Sequence, residues 1–177
     1  MKKLRLLLSE TYDRHCATYR QKMDLSRLPV CSDYSTYDIV EFDGGEPMLS
    51  PSVMKYAIEI IRLSNQRAKL IMHTSYNRDP MDILHKLDYL DGVVITLHEQ
   101  EDVEPFLKLA ELLHNTGRLD KEHSKTLKVN VLNGVEIDGI QEEWVVQSSS
   151  EWEARFTLDK NEEFMRFCDE QDLYLIS

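Results

Sequence analysis

Histidine, cysteine and carboxylate side chains follow several short apolar runs of this chain, and these residue types can bind a metal ion. Imidazole combined with thiolate or carboxylate suits zinc or ferrous iron. The candidate ligands are His15, Cys16, His73 and His98, together with Asp13 or Glu46. No two histidines have the close HxH or HxxxH spacing of a metal site. We therefore favour hydrogen bonding at strand ends for His73 and His98, and keep a mononuclear metal enzyme as an alternative.

Two adjacent glycines, Gly44 and Gly45, follow a β-prone run and precede Glu46 and Pro47. Because glycine has no Cβ, the backbone of such a segment can come close to a ligand. Glu46 adds a carboxylate beside that backbone, and a carboxylate suits an ammonium group. The segment is therefore a candidate binding loop.

Nucleophilic catalysis has little support in the sequence. The chain contains no GxSxG elbow, no P-loop and no GxGxxG motif. Its three cysteines, Cys16, Cys31 and Cys168, are an odd number at wide spacing, which offers neither a disulfide framework nor a CxxC knuckle. Cys16 follows His15 only in sequence, so a reactive thiol there is a weak prediction, and we expect Cys168 to be a small core residue on a helix.

The elements that would position these residues alternate between short strands and amphipathic helices. The predicted strands cover residues 4–8, 37–42, 69–72, 93–97 and 127–132. Helices are predicted to begin at Pro51 after a Ser50 N-cap, at Pro80 after an Asp79 N-cap, and at Asp102, the last ending at Gly117. The apolar positions at helical spacing are Val53, Ala57, Ile58 and Ile61, then Ile83, Leu84, Leu87 and Leu90, then Val103, Phe106, Leu107, Ala110 and Leu113.

The last part of the chain has a weaker pattern. Residues 143–147 and 152–157 are predicted as strands, which could form a hairpin. Asp159 and Glu162 have the spacing of a capping box, which predicts a helix through Phe164, Phe167 and Cys168. A terminal strand is predicted at residues 173–176.

This order of elements predicts an α/β protein with a mostly parallel sheet and right-handed crossovers. Both a doubly wound sheet and a curved, partial (β/α) barrel fit the periodicity; we predict the barrel, with about five to six mostly parallel strands. The 177 residues suffice for one domain. We expect a β/α core at residues 1–132 and a small C-terminal β/α extension at residues 133–177.

In a parallel α/β sheet, ligands bind at the carboxyl ends of the strands. We therefore predict that the residues just after the predicted strands line a candidate pocket. Besides the glycine loop, they are Asp13, His73, Thr74, Thr96 and His98.

The segment at residues 42–49, Phe-Asp-Gly-Gly-Glu-Pro-Met-Leu, resembles the glycine-rich GGEP motif of radical S-adenosylmethionine enzymes. Its setting is also similar, with an N-terminal strand leading into a long loop and a helix beginning at Pro51, over roughly residues 1 to 132. In that family the motif lines the methionine moiety of the cofactor. The resemblance therefore implies that Gly44, Gly45, Glu46 and Pro47 bind S-adenosylmethionine.

The loop after the first strand departs from the family's pattern. Radical enzymes hold a [4Fe–4S] cluster there with a CxxxCxxC run, because three thiolates bind three irons and leave the fourth for the cofactor. Aligning Cys16 with the middle ligand places Tyr12 and Tyr19 at the other two positions. A single thiolate cannot retain a cuboidal cluster, so no cluster is expected and the cofactor would not be cleaved reductively.

Composition limits the partners of the chain. Lysine and arginine number 21 against 32 aspartate and glutamate residues, a net charge of −11, and the basic residues are scattered. Such a balance disfavours a phosphate backbone, so no nucleic acid is expected. The apolar run at residues 6–8 is far shorter than a membrane span or signal core, which predicts a cytoplasmic protein without membrane contact.

Four tyrosines and three arginines between residues 11 and 37 are a mixture typical of protein interfaces, although a solvated loop with partly packed rings fits equally well. Whether two copies pair through this segment is left open.

The favoured hypothesis is a radical-S-adenosylmethionine-like pseudoenzyme that acts by binding a partner protein or a small ligand. The first alternative is a cluster-independent enzyme with a retained S-adenosylmethionine or nucleotide pocket. A weaker one is an engineered cysteine variant of an active radical enzyme, in which Tyr12 and Tyr19 replace cysteines.

Overall fold

The computed structural model describes residues 1–9, 27–116, 125–132, 134–149 and 158–168. The chain forms two compact units, one made of Met1–Leu70 with Leu158–Ser177 and the other of Ile71–Thr157. Both are α/β, and the strand pairs within each are parallel. The prediction of an α/β protein with parallel strands is therefore confirmed.

The first unit places parallel strands beside one long helix. Its strand order is β2-β8-β1-β3. The elements are β1 (Lys3–Leu7), β2 (Val30–Cys31), β3 (Ile39–Phe42), a 3-10 turn (Pro47–Leu49), α1 (Pro51–Ser64) and β8 (Glu162–Phe167). The chain leaves this unit within β4 (Lys69–Thr74).

The second unit has the strand order β4-β5-β6-β7. The remaining elements are α2 (Pro80–Lys86), β5 (Gly92–Leu97), a 3-10 turn (Gln100–Asp102), α3 (Val103–Asn115), β6 (Thr126–Leu132) and β7 (Val145–Ser149). Gly92 pairs with Thr126, and a Cβ at Gly92 would lie 2.4 Å from the Thr126 carbonyl oxygen, so β5 and β6 can approach there only with glycine.

Of the four predicted helices, two begin at the predicted residues, Pro51 and Pro80, and a third begins at Val103, one residue after the predicted Asp102. Pro51 starts α1 after Ser50, whose Oγ donates to the Ser9 hydroxyl at 2.9 Å. Asp79 caps α2, and its carboxylate accepts from the backbone N–H groups of Met81 and Asp82, each at 3.1 Å. These are the donors that a helix leaves unpaired at its first turn.

The buried faces differ from the prediction in detail. In α2 the predicted Ile83 and Leu84 are buried, whereas the predicted Leu87 and Leu90 are buried but lie beyond the helix, which ends at Lys86. In α3 a 3-10 turn precedes Val103, and Leu109 is buried while the predicted Leu107 is half-buried. In α1 Met54 is buried, whereas Val53 and Ile58 are half-buried. Packing against the sheet selects among neighbouring apolar positions that periodicity cannot separate.

The prediction of a C-terminal helix is wrong. Residues 162–167 form strand β8, which pairs in parallel with β1 from Lys3 opposite Glu162 to Leu7 opposite Arg166. The Asp159 and Glu162 pair does exchange hydrogen bonds: the Glu162 side chain accepts from the Asp159 N–H, and the Glu162 N–H donates to the Asp159 carbonyl. These two hydrogen bonds close a turn before a strand and do not start a helix. Residues 162–167 are extended because they form backbone hydrogen bonds with β1.

Two related predictions also need correction. Cys168 follows β8 and is half-buried, so it is not a core residue of a helix. The predicted strand at residues 143–147 is β7, displaced toward the C-terminus, with Trp144 buried edge-to-face against Phe106 at 4.8 Å. The eight described strands exceed the predicted five to six. The strands predicted at 152–157 and 173–176, and the helix stop at Gly117, lie outside the described residues.

None of the helices within the described ranges has the length and apolar character needed to cross a bilayer.

Candidate functional site

The loop of residues 44–47 lies at the carboxyl end of β3, where the sequence predicts a binding loop. Gly44 has φ of +115° and Gly45 has φ of +63°, a region that residues with a Cβ enter at a cost. A Cβ at Gly44 would also lie 2.7 Å from Cδ1 of Leu7. The φ of Gly44 therefore requires glycine, and an added side chain would also displace the end of Leu7, whatever the loop binds.

Glu46 is buried, with 1% of its surface exposed. Its carboxylate Oε1 accepts a hydrogen bond from the Met48 N–H at 3.1 Å and caps the 3-10 turn that Pro47 begins. One carboxylate oxygen thus has a structural partner already. Among the four residues of the loop, Gly45 alone is only half-buried. The part of the loop that solvent reaches is therefore the backbone of Gly45 and not the Glu46 carboxylate.

A buried ion pair lies directly before this loop, and the sequence reasoning missed it. Arg5 of β1 and Asp43, the residue after β3, are 5% and 7% exposed. The Arg5 guanidinium donates to Oδ2 of Asp43 through Nε at 2.8 Å and also through Nη2. The Phe164 ring lies 5.3 Å from Cζ of Arg5. Aromatic contact and charge-assisted hydrogen bonds together hold the Arg5 side chain in place.

The same strands carry a second group of charges. Lys3 Nζ lies 3.0 Å from carboxylate oxygens of both Glu41 and Glu162. Burial alone would lower the pKa of Lys3, but the two carboxylates outweigh it and raise that pKa. Glu162 Oε1 also lies 4.0 Å from Nε of Arg5. We call these five residues, Lys3, Arg5, Glu41, Asp43 and Glu162, the buried charge network.

The pleat of the strands explains why the network forms. Successive side chains of a strand point to opposite faces, so Lys3 and Arg5 share one face of β1 while Leu4 and Leu6 occupy the other, fully buried. Arg5 lies opposite Glu41 in the register of β1 and β3. In the sequence, Lys3 and Arg5 alternate with leucines, and Glu41 and Asp43 likewise stand two residues apart. This alternation was the signal for the network, and it was overlooked because the first strand was predicted from its apolar residues alone.

The predicted pocket residues of the second unit do not all share a face. His73 lies opposite Val94, two residues before Thr96, so His73 and Thr96 point to one face of the sheet while Thr74 points to the other. The Thr96 hydroxyl accepts from the Asn130 side chain at 3.3 Å, and the Thr74 hydroxyl accepts from the Tyr76 N–H at 2.9 Å. Thr96 thus pairs with a residue that the prediction did not include.

His98 begins the turn after β5. Its backbone N–H donates to Oδ2 of Asp102 at 2.9 Å, and the Glu99 N–H donates to the same oxygen at 3.1 Å. These bonds cap the 3-10 turn before α3, which gives Asp102 a structural role. Within the ranges that the structure describes, no three histidine, cysteine, aspartate or glutamate side chains cluster as they would around a metal ion.

Tyr12, Asp13, His15, Cys16 and Tyr19 lie outside the described residues. Their side chains supply one thiolate, one imidazole, one carboxylate and two phenols.

Comparison with known proteins gives no relative: no family model matches the chain, and neither a curated protein nor a solved structure is significantly similar to it.

Proposed function

We propose that this protein is a radical-S-adenosylmethionine-like pseudoenzyme that holds no [4Fe–4S] cluster and acts by binding a small ligand or a partner protein. One observation carries the proposal: where the motif needs three thiolates, the chain has Tyr12, Cys16 and Tyr19. A phenol is a poor replacement for a thiolate on a cluster iron. Curvature of the parallel strands into a partial (β/α) barrel belongs to the same proposal.

The loop of residues 44–47 is the proposed ligand site. Its shape is built into the chain, since Gly44 packs against Leu7 and Glu46 caps the following turn. A loop that is already in its final conformation binds without the entropic cost of ordering. The half-buried backbone of Gly45 is the group that a ligand would meet.

The absence of a cluster is tested by anaerobic reconstitution with iron and sulfide, followed by iron analysis and an absorbance spectrum. The natural chain should bind no stoichiometric cluster. The matched control is the double variant Tyr12→Cys/Tyr19→Cys, which restores the three-thiolate run and should acquire cluster absorbance. A stoichiometric cluster in the natural chain would overturn the proposal.

The alternative function is a cluster-independent enzyme that retains an S-adenosylmethionine or nucleotide pocket. The preformed loop favours this alternative as well, because its conformation does not depend on the cluster. Calorimetry with S-adenosylmethionine separates the two. Saturable heat shows a retained pocket, and no heat with S-adenosylmethionine or with a nucleotide favours a protein partner.

The variant Gly45→Asn sharpens the calorimetry. Asparagine tolerates a φ near +60° better than other residues with a side chain, so it adds bulk at the loop with little strain. Gly139→Asn is the control, because Gly139 has φ of +75° and no atom within 4 Å of an added Cβ. Heat that is lost in the first variant and kept in the second places the ligand at Gly45, whereas equal heat in both moves it elsewhere.

A further inference from the structure

A cleft of about 360 Å³ lies in the first unit at the edge where β3 and β4 begin. The loop of residues 44–47 lies at the other end of β3. Its polar lining residues are Ser35, Thr36, Asp38, Asn65, Arg67 and Lys69. The proposed ligand loop follows the end of β3, so this cleft is a separate feature. No motif of the sequence pointed to it.

The walls of the cleft are held together by Asn65, the residue after α1. Its side-chain Nδ2 donates to the carbonyl oxygens of Tyr34 at 3.0 Å and Tyr37 at 2.9 Å. Its Oδ1 accepts from the N–H groups of Arg67 at 3.2 Å and Ala68 at 3.1 Å. One side chain therefore fixes both segments that border the cleft, and the cleft does not need to be assembled by a ligand.

Two cations line this cleft without a carboxylate partner. Arg67 and Lys69 make no ion pair with any residue that the structure describes. By contrast, Lys2, Lys3 and Arg5 of the same unit pair with carboxylates. The acidic lining residue is already engaged, because Oδ2 of Asp38 accepts from the Lys2 backbone N–H at 2.6 Å.

We propose that this cleft binds a small molecule through an oxyanion group, with phosphate as the favoured chemistry. A guanidinium and an ammonium supply positive charge and charge-assisted hydrogen bonds. The Thr36 hydroxyl, which accepts from Nζ of Lys2 at 3.5 Å, adds a neutral donor. The proposal does not depend on the function proposed for the loop at residues 44–47.

The test uses the whole chain and follows backbone amide NMR shifts on addition of inorganic phosphate at low ionic strength. Saturable shifts are expected at residues 35–38 and 65–69. Acetate is titrated in parallel, and weaker binding of acetate identifies phosphate as the preferred oxyanion. Stronger binding of acetate would assign the cleft to carboxylates and overturn the phosphate assignment.

Three variants localise the binding. Arg67→Gln and Lys69→Gln should each weaken phosphate binding about tenfold, the effect of losing one charged hydrogen bond. Lys55→Gln is the matched control, since Lys55 is an exposed lysine of α1 that lies 4.0 Å from Glu59. Shifts that do not saturate, or equal weakening in all three variants, would show that phosphate responds only to the overall charge and would overturn the proposal.

Discussion

The first unit holds cations in two opposite situations. In the buried charge network, Lys3 and Arg5 each contact a carboxylate within 3 Å; Arg5 is buried and Lys3 is half-buried. At the edge where β3 begins, Arg67 and Lys69 line an open cleft and contact no described carboxylate. The difference teaches that charge type alone does not indicate function: the paired cations are bound to carboxylates within the fold, and the unpaired ones are available to a ligand.

The network also explains how the unit tolerates charge inside its sheet. Removing ions from water is costly, and the attraction between them offsets that cost only when the geometry is good. Arg5 meets this condition with two donors on one carboxylate oxygen and an aromatic ring beside it. Four predictions test the two groups of cations and the residues beside them, beginning with the largest expected effect.

Replacing Arg5 with methionine should lower the free energy of unfolding by about 3 to 5 kcal/mol, because it removes the guanidinium bound to the buried Asp43 carboxylate. Urea denaturation measures the change. The double variant Arg5→Met/Asp43→Leu should recover most of the loss, since it removes both charges and keeps apolar volume. A loss below about 1 kcal/mol in the single variant would show that the Arg5–Asp43 pair contributes no more to stability than a surface ion pair.

Gly44→Ala tests the segment that follows the network. It adds a Cβ at a positive φ and 2.7 Å from Leu7, so a loss of about 2 to 4 kcal/mol is expected. Gly139→Ala adds a Cβ at a φ of +75°, closer to the left-handed helical region than the +115° of Gly44, and meets no atom within 4 Å, so it should lose only about 1 kcal/mol. Equal losses in thermal or urea unfolding would show that neither the larger φ nor the contact with Leu7 adds to the cost at residue 44.

Tyr37→Phe tests a residue that borders the cleft but whose hydroxyl bonds to Glu163, a residue that does not line the cleft. The Tyr37 hydroxyl donates to Glu163 at 2.5 Å, and Lys2 lies 3.0 Å from the other carboxylate oxygen. Burial, followed by this bond, raises the pKa of Tyr37, while the same bond and Lys2 lower the pKa of Glu163. Losing the bond should cost roughly 1 kcal/mol at neutral pH.

The pH dependence of this effect has a defined sign. Because the folded pKa of Glu163 lies below its usual 4.5, its stabilisation is complete above that value and is lost as pH falls through the folded pKa. The difference in unfolding free energy between the natural chain and Tyr37→Phe should therefore shrink in acid. A difference that stays constant from neutral to acidic pH would assign the effect to packing of the ring.

The smallest effect is expected at the cleft. Arg67→Gln and Lys69→Gln should each change the free energy of unfolding by less than about 0.5 kcal/mol, as for most surface substitutions. Chemical denaturation in phosphate-free buffer measures this. A loss as large as that of Arg5→Met would show that these cations stabilise the fold, and would remove the contrast between the two groups.

Much of the local structure was predictable because local interactions decide it. Proline after Asp79 marks the start of α2, and the Asp79 carboxylate makes the capping bonds that its position predicts. Core positions such as Ile83 and Leu84 followed from helical spacing. The predicted glycine loop is present at the end of β3, with both glycines at positive φ.

Other features depend on which strands become neighbours, and no local pattern contains that information. The Asp159 and Glu162 spacing predicts a helix through residues 162–167, but these residues form a strand because they pair in parallel with β1. Arg5 and Asp43 are 38 residues apart and pair only because β1 lies beside β3. The role of Asn65 likewise follows from its bonds to Tyr34 and Tyr37.

The amino-acid order alone determined the α/β alternation, the starts of α1, α2 and α3 and the single thiolate of the residue 12–19 segment, since each depends on neighbours in sequence or on side-chain type. The tertiary structure decided the pairing of β8, the burial of Glu46, the charge network and the cleft. These depend on contacts between residues far apart in the chain, where the gain from pairing or burial outweighs local preference.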